Sequence, residues 1–195
     1  MKQGTFITAL VLAGALVLAS AAPAQVGFAT AGERGAQASA LQLGFKGSPD
    51  ADEISVSLDG TQTKYVITST RPINPPPPPC VQISTFQISC PTSDFVSFAV
   101  ALGKGNDNFT VGPSVTVPVT MSGGDGRDVL RGGSGPDTLN GGNGTDRLIG
   151  NGGDDELKGG KAHDVLFGNR GRDRLEGGRG RDKLLGGPGN DVQKQ

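Results

Sequence analysis

The chain is poor in the residues that build large globular cores and in those that carry much of enzyme chemistry. Its 195 residues include no tryptophan, one tyrosine and eight phenylalanines, and only 34% of the residues are apolar. A single histidine and two cysteines leave little material for a His-dependent catalytic triad or a zinc site with several His and Cys ligands. The formal net charge of −1 argues against a general binder of nucleic acid or of anionic membranes.

Enzyme motifs are also scarce. The chain lacks the His-Glu-x-x-His motif of zinc proteases and the Gly-Lys-Ser/Thr end of a phosphate-binding loop. The carboxylates of Asp50, Asp52 and Glu53 are of the kind that a glycosidase pair uses, but no pattern indicates a substrate cleft. The sequence therefore predicts a protein that is not an enzyme, and a small hydrolase within residues 25–122 is the least favoured alternative.

Glycine, in contrast, is abundant and periodic. Of 33 glycines, 22 follow residue 122, where the unit Gly-Gly-x-Gly-x-Asp-x-Leu-x recurs every nine residues from Gly123 to the C-terminus. A fixed period of this kind predicts a stacked repeat architecture. The aspartates of the eight copies are Asp128, Asp137, Asp146, Asp155, Asp164, Asp173, Asp182 and Asp191. Seven leucines follow them two residues later, at Leu130, Leu139, Leu148, Leu157, Leu166, Leu175 and Leu184.

Each part of the unit has a structural meaning. Gly-Gly-x-Gly-x-Asp predicts a turn in which glycines adopt positive φ and direct backbone carbonyls toward a shared ion. The remaining x-Leu-x predicts a three-residue strand with one inward side chain, because side chains alternate faces along a strand. Two units then form one rung of 18 residues. Aspartates 18 residues apart fall into two columns, one beginning at Asp128 and the other at Asp137.

Stacked carboxylates and carbonyls predict calcium sites between vertically adjacent turns, since Ca²⁺ takes about six to eight oxygen ligands. Three gaps in each column give at most six sites within the repeats. The predicted metal ligands are the eight repeat aspartates, together with turn glycines that supply carbonyl oxygens. These glycines are Gly124, Gly126, Gly133, Gly135, Gly142 and Gly144.

This nonapeptide resembles the RTX, or hemolysin-type, calcium-binding repeat, and the resemblance covers residues 123–191. It implies an all-β fold, a parallel β-roll filled by several Ca²⁺ ions, preceded here by an irregular β region. The arrangement of the whole chain is similar, more loosely, to small exported bacterial calcium-binding proteins of this family. The predicted divisions are residues 1–24, 25–122 and 123–195.

Several positions depart from the repeat. Asn151 and Asn169 replace the second glycine of their turns, which is a mild change because asparagine tolerates left-handed backbone. Ala162 replaces the third glycine, and Gln193 stands where leucine belongs in the last copy. Residues 123–195 carry 12 acidic and 12 basic side chains. The basic ones crowd the later turns, at Arg170, Arg172, Arg179 and Arg181.

The region 25–122 predicts irregular β structure. Runs of β-branched and aromatic residues suggest strands at residues 41–43, 54–58, 65–67 and 95–100, and a further edge or bulged strand at 115–120. Residues 103–109 keep the Gly-x-Gly-x-Asp-x-apolar order, so Asp107 is predicted to cap the Asp128 column as a further metal ligand. We interpret the region as solenoid-like rungs that lead into the roll; an unrelated small β-sandwich is the alternative.

The N-terminus predicts export. Lys2 precedes an apolar run from Phe6 to Ala19 and the small-x-small site Ala22-Pro23-Ala24, a pattern typical of a secretory signal peptide. We expect cleavage after Ala24, or else after Ala21. The run is shorter than the roughly 20 residues of a membrane-spanning helix, so no membrane span is expected after cleavage. The predicted localisation is extracellular.

The two cysteines, Cys80 and Cys90, predict one disulfide, because an isolated pair in an exported chain is most simply oxidised. The prolines from Pro75 to Pro79 predict a polyproline II spacer ahead of Cys80. A ligand for a proline-recognising module is the alternative for this stretch.

The sequence thus predicts an exported calcium-binding repeat protein whose roll folds around stacked ions. The alternative for the repeats is a disordered glycine-rich tail, a state expected in the absence of metal. The alternative function is a calcium-dependent adhesion or cell-envelope protein that uses the rigid roll as a scaffold. No protein or glycan partner is indicated.

Overall fold

The computed structural model describes residues 25–30, 41–47, 49–72 and 80–195. The predicted signal peptide of residues 1–24 and the prolines 75–79 lie outside these ranges, and both stay predictions. Within the described ranges, none of the elements is a helix of the length and apolarity needed to cross a membrane.

The regular secondary structure of the described chain is β-strand, apart from one turn of 3₁₀ helix at Thr92–Asp94. The strands are β1 (Gln25–Thr30), β2 (Leu41–Lys46), β3 (Glu53–Leu58), β4 (Lys64–Ser69), β5 (Val81–Ser84), β6 (Gln87–Pro91), β7 (Phe95–Lys104), β8 (Asn108–Val111), β9 (Val119–Asp125), β10 (Val129–Arg131), β11 (Thr138–Asn143), β12 (Arg147–Gly152), β13 (Glu156–Lys161), β14 (Val165–Arg170), β15 (Arg174–Arg179), β16 (Lys183–Leu185) and β17 (Val192–Lys194). Alternate strands of the repeats enter different sheets, so the chain winds as a solenoid.

The two sheets face each other across the solenoid. The first has the order β1-β2-β7-β9-β11-β13-β15-β17, and the second has the order β16-β14-β12-β10-β8-β3-β4-β6-β5. Strands of successive rungs pair in parallel with an offset of 18 residues, as Leu139 with Leu157 and Leu148 with Leu166. The solenoid has about five turns, which confirms the predicted β-roll.

The core of the roll is a double column of leucines. Each repeat strand places one leucine inward and two neighbours outward, because its side chains alternate faces. The leucines at positions 130, 139, 148, 157, 166 and 175 are fully buried, while Leu184 is only partly buried in the last rung. Gln193 replaces the next leucine and is exposed, so the apolar column ends there.

The solenoid begins before the first complete repeat. Strand β7 pairs in parallel with β9, and β8 pairs in parallel with β10. Strands β2 and β3 add a further parallel layer on β7 and β8. Hydrogen bonds of both sheets therefore cross residue 122, where the sequence suggested a division; that division stays a prediction.

Antiparallel strands close the N-terminal end of the second sheet, in the order β3, β4, β6 and β5. The predicted disulfide is confirmed: Cys80 and Cys90 are bonded, with their Cα atoms 4.2 Å apart, and both are buried. The ring of Tyr65 meets that of Phe98 edge to face at 4.9 Å between centroids. The aromatic and aliphatic residues of this part belong to the same hydrophobic core as the repeat leucines.

One strand prediction was wrong in its bounds. Residues 115–118 lie outside any strand, since β9 begins only at Val119. The segment before it is a loop whose carbonyls serve neighbours: Phe98 donates its amide to Pro118 O at 3.1 Å, and Ser134 donates to Val115 O at 2.8 Å. Pro118 has no amide hydrogen to contribute to a ladder, which explains why the strand starts one residue later.

Candidate metal centre

The repeat turns place every repeat aspartate at the border between one strand and the next. Since paired strands are offset by 18 residues, aspartates of alternate repeats lie directly above one another. Six of the eight, from Asp128 to Asp173, are buried with at most 2% exposure. Asp182 and Asp191, in the last rungs, are half-buried.

Successive aspartates of a column are joined by hydrogen bonds. The amide of Asp128 donates to Oδ1 of Asp146 at 2.9 Å, and the amide of Asp146 donates to Oδ1 of Asp164 at 2.8 Å. The other column has the same pattern, as in the 2.8 Å bond from the Asp137 amide to Asp155 Oδ1. Each Oδ1 is therefore satisfied by the rung before it.

The second carboxylate oxygen is different. Within the described part of the chain, Oδ2 is buried and accepts no hydrogen bond in seven aspartates, namely Asp107, Asp128, Asp146, Asp155, Asp164, Asp173 and Asp182. A buried polar atom without a partner costs about 1–3 kcal/mol, and more when it is charged. Because these oxygens recur in register along the columns, they indicate sites for a positively charged partner.

The first glycine of each turn keeps space beside that oxygen. A Cβ added at Gly141 would collide with Asp146 Oδ2 and would lie 2.7 Å from the carbonyl oxygen of Gly159, in the next rung. The same relation holds at Gly150, where a Cβ would collide with Asp155 Oδ2 and lie 2.9 Å from Gly168 O. Carboxylate and carbonyl oxygens thus converge on a space that only glycine leaves open.

The chemistry of this space fits a hard cation. No group of three or more His, Cys, Asp or Glu side chains is clustered in the described ranges. A metal here must therefore take backbone carbonyls as well as carboxylates, which is the oxygen set that Ca²⁺ prefers. A bound ion would supply the positive charge that the Oδ2 atoms lack.

Burial also raises the pKa of the column aspartates. The pKa of Asp146 and that of Asp155 rise to about 7, first because of burial, and the nearby aspartates of the same column raise them further. Burial raises the pKa of Asp137 to about 6, and it raises those of Asp128, Asp164 and Asp173 as well. The carboxylates are held in an environment that disfavours their charge unless a cation accompanies it.

Most substituted turns keep the expected backbone. Asn151 and Asn169 adopt φ of 80° and 74°, as the glycine positions they fill require. Ala162 adopts a φ of 78°, which is strained for alanine. The column is unbroken there, because Asp164 still accepts from Asp146 and donates to Asp182 Oδ1 at 2.9 Å.

The first turn of the Asp137 column departs from expectation. Gly133 and Gly135 lie outside the left-handed region, unlike Gly124, Gly126, Gly142 and Gly144. The backbone of this turn differs because of the segment that it packs against. This turn packs on the loop before β9, where a Cβ at Gly133 or at Gly135 would collide with the carbonyl of Val115 or Thr116.

The basic side chains of the repeats form no ion pairs with the repeat aspartates in the described residues. Arg172 bonds Asp154, a variable turn residue, at 2.7 Å, and both side chains are exposed. In the part of the chain that the structure describes, no ion pair joins an arginine to a repeat aspartate. His163 accepts the amide hydrogen of Arg181 through Nδ1 at 2.8 Å, which is a structural role in an exposed loop.

The Asp128 column extends beyond the repeats. Asp107 donates its amide to Asp128 Oδ1 at 2.8 Å, and Asp52 donates its amide to Asp107 Oδ1 at 2.7 Å. Asp107 thus occupies the predicted position at the head of the repeats. Sequence reasoning missed Asp52 as a member of the column and missed its partner Arg71, whose Nε lies 2.9 Å from Asp52 Oδ1. Residues 47–54 echo the repeat only weakly in sequence, and that echo was the one hint of Asp52.

The fold and the site together define a β-solenoid with acidic, glycine-lined turns, the architecture of a structural ion-binding repeat rather than that of an enzyme cleft. Residues 122–157 and 158–193 each match the family model of the RTX calcium-binding nonapeptide repeat, so these nonapeptides are RTX repeats and the resemblance is confirmed. Comparison with curated proteins and with solved structures gave no match. RTX repeats bind Ca²⁺, which is the ion that the oxygen set favours.

Proposed function

We propose that this is an exported calcium-binding protein whose roll folds around Ca²⁺ ions stacked along its two edges. The observation that carries the proposal is the series of seven buried Oδ2 atoms without a hydrogen-bond partner. Each needs a positive partner, and all of them except Asp107 Oδ2 lie against the first glycine of their own turn.

The proposed ligands are the repeat aspartates and the carbonyls of the turns, with Asp107 as the additional member at the N-terminal end. Ca²⁺ would neutralise carboxylates that burial otherwise drives toward protonation. The chain's own groups fix the geometry: the amide of one rung orients the carboxylate of the next, and the first glycine excludes a side chain from the space beside it. The protein is proposed to act as a structural module and not as an enzyme.

Export is proposed on independent grounds. The first 24 residues have the pattern of a signal peptide, and the Cys80–Cys90 disulfide is typical of an oxidising compartment. Extracellular calcium modules work with dissociation constants of about 0.1–1 mM. A roll that folds only at such concentrations stays unfolded in a cytoplasm poor in calcium and folds after export.

A calcium titration of the full chain, followed by far-ultraviolet circular dichroism, tests the proposal. At neutral pH the strand signal is expected to rise with calcium above its level in chelator and to saturate near the millimolar range. Magnesium at the same concentration is the control, since its smaller, near-octahedral shell does not suit carbonyl-rich turns. Identical spectra in calcium and in chelator would refute calcium-dependent folding.

A further inference from the structure

The N-terminal end of the Asp128 column is satisfied by a side chain. Arg71 Nε lies 2.9 Å from Oδ1 of Asp52, and its terminal nitrogen lies 3.3 Å from Oδ2 of Asp50 and 3.4 Å from the carbonyl of Ala51. The Asp52 side chain is 1% exposed, so the guanidinium compensates a buried carboxylate. A fixed cation therefore lies where the column begins.

The rung that contains Asp107 also lacks the first glycine, which opens the space beside each repeat aspartate. Gly103 pairs with Gly124, so the residue in the register of Gly123 is Leu102, which is fully buried. A Cβ at Gly123 would collide with Asp128 Oδ2, whereas Leu102 carries a side chain at the matching position before Asp107.

The Asp137 column also begins on protein groups. Val119, in the register position of an aspartate, donates its amide to Asp137 Oδ1 at 2.8 Å. Gly133 donates its amide to Asp137 Oδ2 at 2.7 Å, so both oxygens of this carboxylate are bonded. The altered backbone of the first turn, in which Gly133 lies outside the left-handed region, produces this second bond.

The same end of the molecule has stabilisation that the repeats lack. Its buried residues include Ile67, Ile88, Phe98 and Phe109, and the Cys80–Cys90 disulfide closes the last strands of the second sheet. A repeat rung contributes only two leucines to the core, so apolar burial and the cross-link favour the N-terminal end.

We propose that residues 52–72 and 80–122 form a metal-independent cap, in which Arg71 takes the place of a cation at the head of one column and backbone amides satisfy the first carboxylate of the other. The metal-dependent repeats fold onto this cap from the Asp128 rung onward. Arg71 and Gly133 thus set where the calcium columns begin. The inference rests on the proposed function, since it assigns the remaining carboxylates to calcium.

Hydrogen exchange of the full-length, oxidised chain, measured by mass spectrometry in calcium and in chelator, tests the cap. In chelator, peptides from β3, β4 and β8 are expected to stay protected, while peptides from β12 to β16 exchange freely. Arg71→Gln removes the cation beside the buried carboxylate of Asp52, and exchange in β3 and β8 in chelator is expected to accelerate about tenfold or more.

The matched control is Arg172→Gln. Arg172 also pairs with an aspartate, but the two side chains are 73% and 50% exposed. Its loss is expected to leave exchange in β3 and β8 unchanged, because exposed pairs contribute little. Arg71→Lys keeps the charge but not the forked geometry, and is expected to fall between the wild type and Arg71→Gln. If Arg71→Gln does not fold even in calcium, Arg71→Lys decides.

The outcomes separate the cap from the proposed function. The cap alone would be overturned if the repeats gain protection with calcium but Arg71→Gln does not change exchange in β3 and β8 in chelator. A wild-type β3 and β8 unprotected in chelator would overturn it as well. The proposed function would be overturned, and with it the metal dependence of the roll, if calcium does not protect the repeats while exchange at the N-terminal end still depends on Arg71.

Discussion

The amide of Asp128 donates to Oδ1 of Asp146 at 2.9 Å, while Oδ2 of Asp146 is buried without a hydrogen-bond partner. One carboxylate thus has two distinct tasks. Its first oxygen holds two rungs in register, and its second is left for a cation. Since the relation recurs along both edges, the stability of the roll depends on the occupant of the space beside Oδ2.

Asp146→Asn separates these tasks. Asparagine retains an oxygen that can accept the Asp128 amide, but it removes the charge that attracts calcium. We expect calcium affinity to fall by about tenfold or more, because ligand charge tunes calcium affinity. Asp191→Asn, at the half-buried end of the other column, is expected to cause a smaller loss. Isothermal titration of both variants measures the difference, and equal losses would contradict stacked, shared sites.

The first glycine of a turn is expected to be required for tight calcium binding. Gly141→Ala places a methyl group against Asp146 Oδ2 and Gly159 O, so calcium binding is expected to weaken by about tenfold or more. Gly152→Ala is the matched control, since its Cβ would come no closer than 3.8 Å to the nearest atoms. Calcium titrations that show the same affinity for both alanine variants would exclude this role of the first glycine.

The stability of the metal-free roll and its affinity for calcium are expected to respond to pH in opposite directions. In the metal-free roll the pKa values of Asp146 and Asp155 rise to about 7, from an ordinary value near 4. The folded state therefore favours the protonated form, and stability present below about pH 4 is lost as pH rises through about 7. Calcium requires the carboxylates, so affinity should rise over the same window.

Circular dichroism between pH 4 and pH 8 measures this, once in chelator and once in excess calcium. Strand content is expected to fall with pH in chelator and to hold in calcium. Asp146→Asn combined with Asp155→Asn should flatten the chelator curve. Strand content that rises with pH in chelator would show that the buried aspartates do not titrate as inferred.

Ala162→Gly is expected to stabilise the calcium-loaded protein. Left-handed backbone costs an L-residue roughly 1–2 kcal/mol, and glycine loses about 0.5–1 kcal/mol more entropy on folding, so a net gain of about 0.5–1 kcal/mol remains. Ala101→Gly, at an exposed position of β7, lacks this compensation and should destabilise. Denaturant unfolding in calcium measures both; a loss of stability at position 162 would mean that its φ of 78° is not strained.

The sequence predicts the repeats well because a nine-residue period determines which residues share a column. The register of Leu139 with Leu157, and hence the stacking of aspartates, follows from that period and the alternation of strand side chains. Asp107 was also found, because its turn keeps the glycine spacing.

The ends of the columns were harder to predict, since they depend on contacts between residues far apart in the chain. Arg71 reaches Asp52 only because β3 and β4 pair antiparallel, and no short motif encodes that pair. The altered turn at Gly133 likewise depends on the loop that contains Val115, which looked like a strand from its β-branched residues. Local patterns cannot show which neighbour a turn will pack against.

A crystal structure of the full chain grown in calcium, with anomalous diffraction data, tests the central claim most directly. We predict anomalous peaks in two columns, each beside a carboxylate Oδ2 and the carbonyl of the next rung, as between Asp146 Oδ2 and Gly159 O. No peak is expected between Asp52 and Asp107, where Arg71 lies. A folded roll whose columns carry no anomalous peaks would contradict the account.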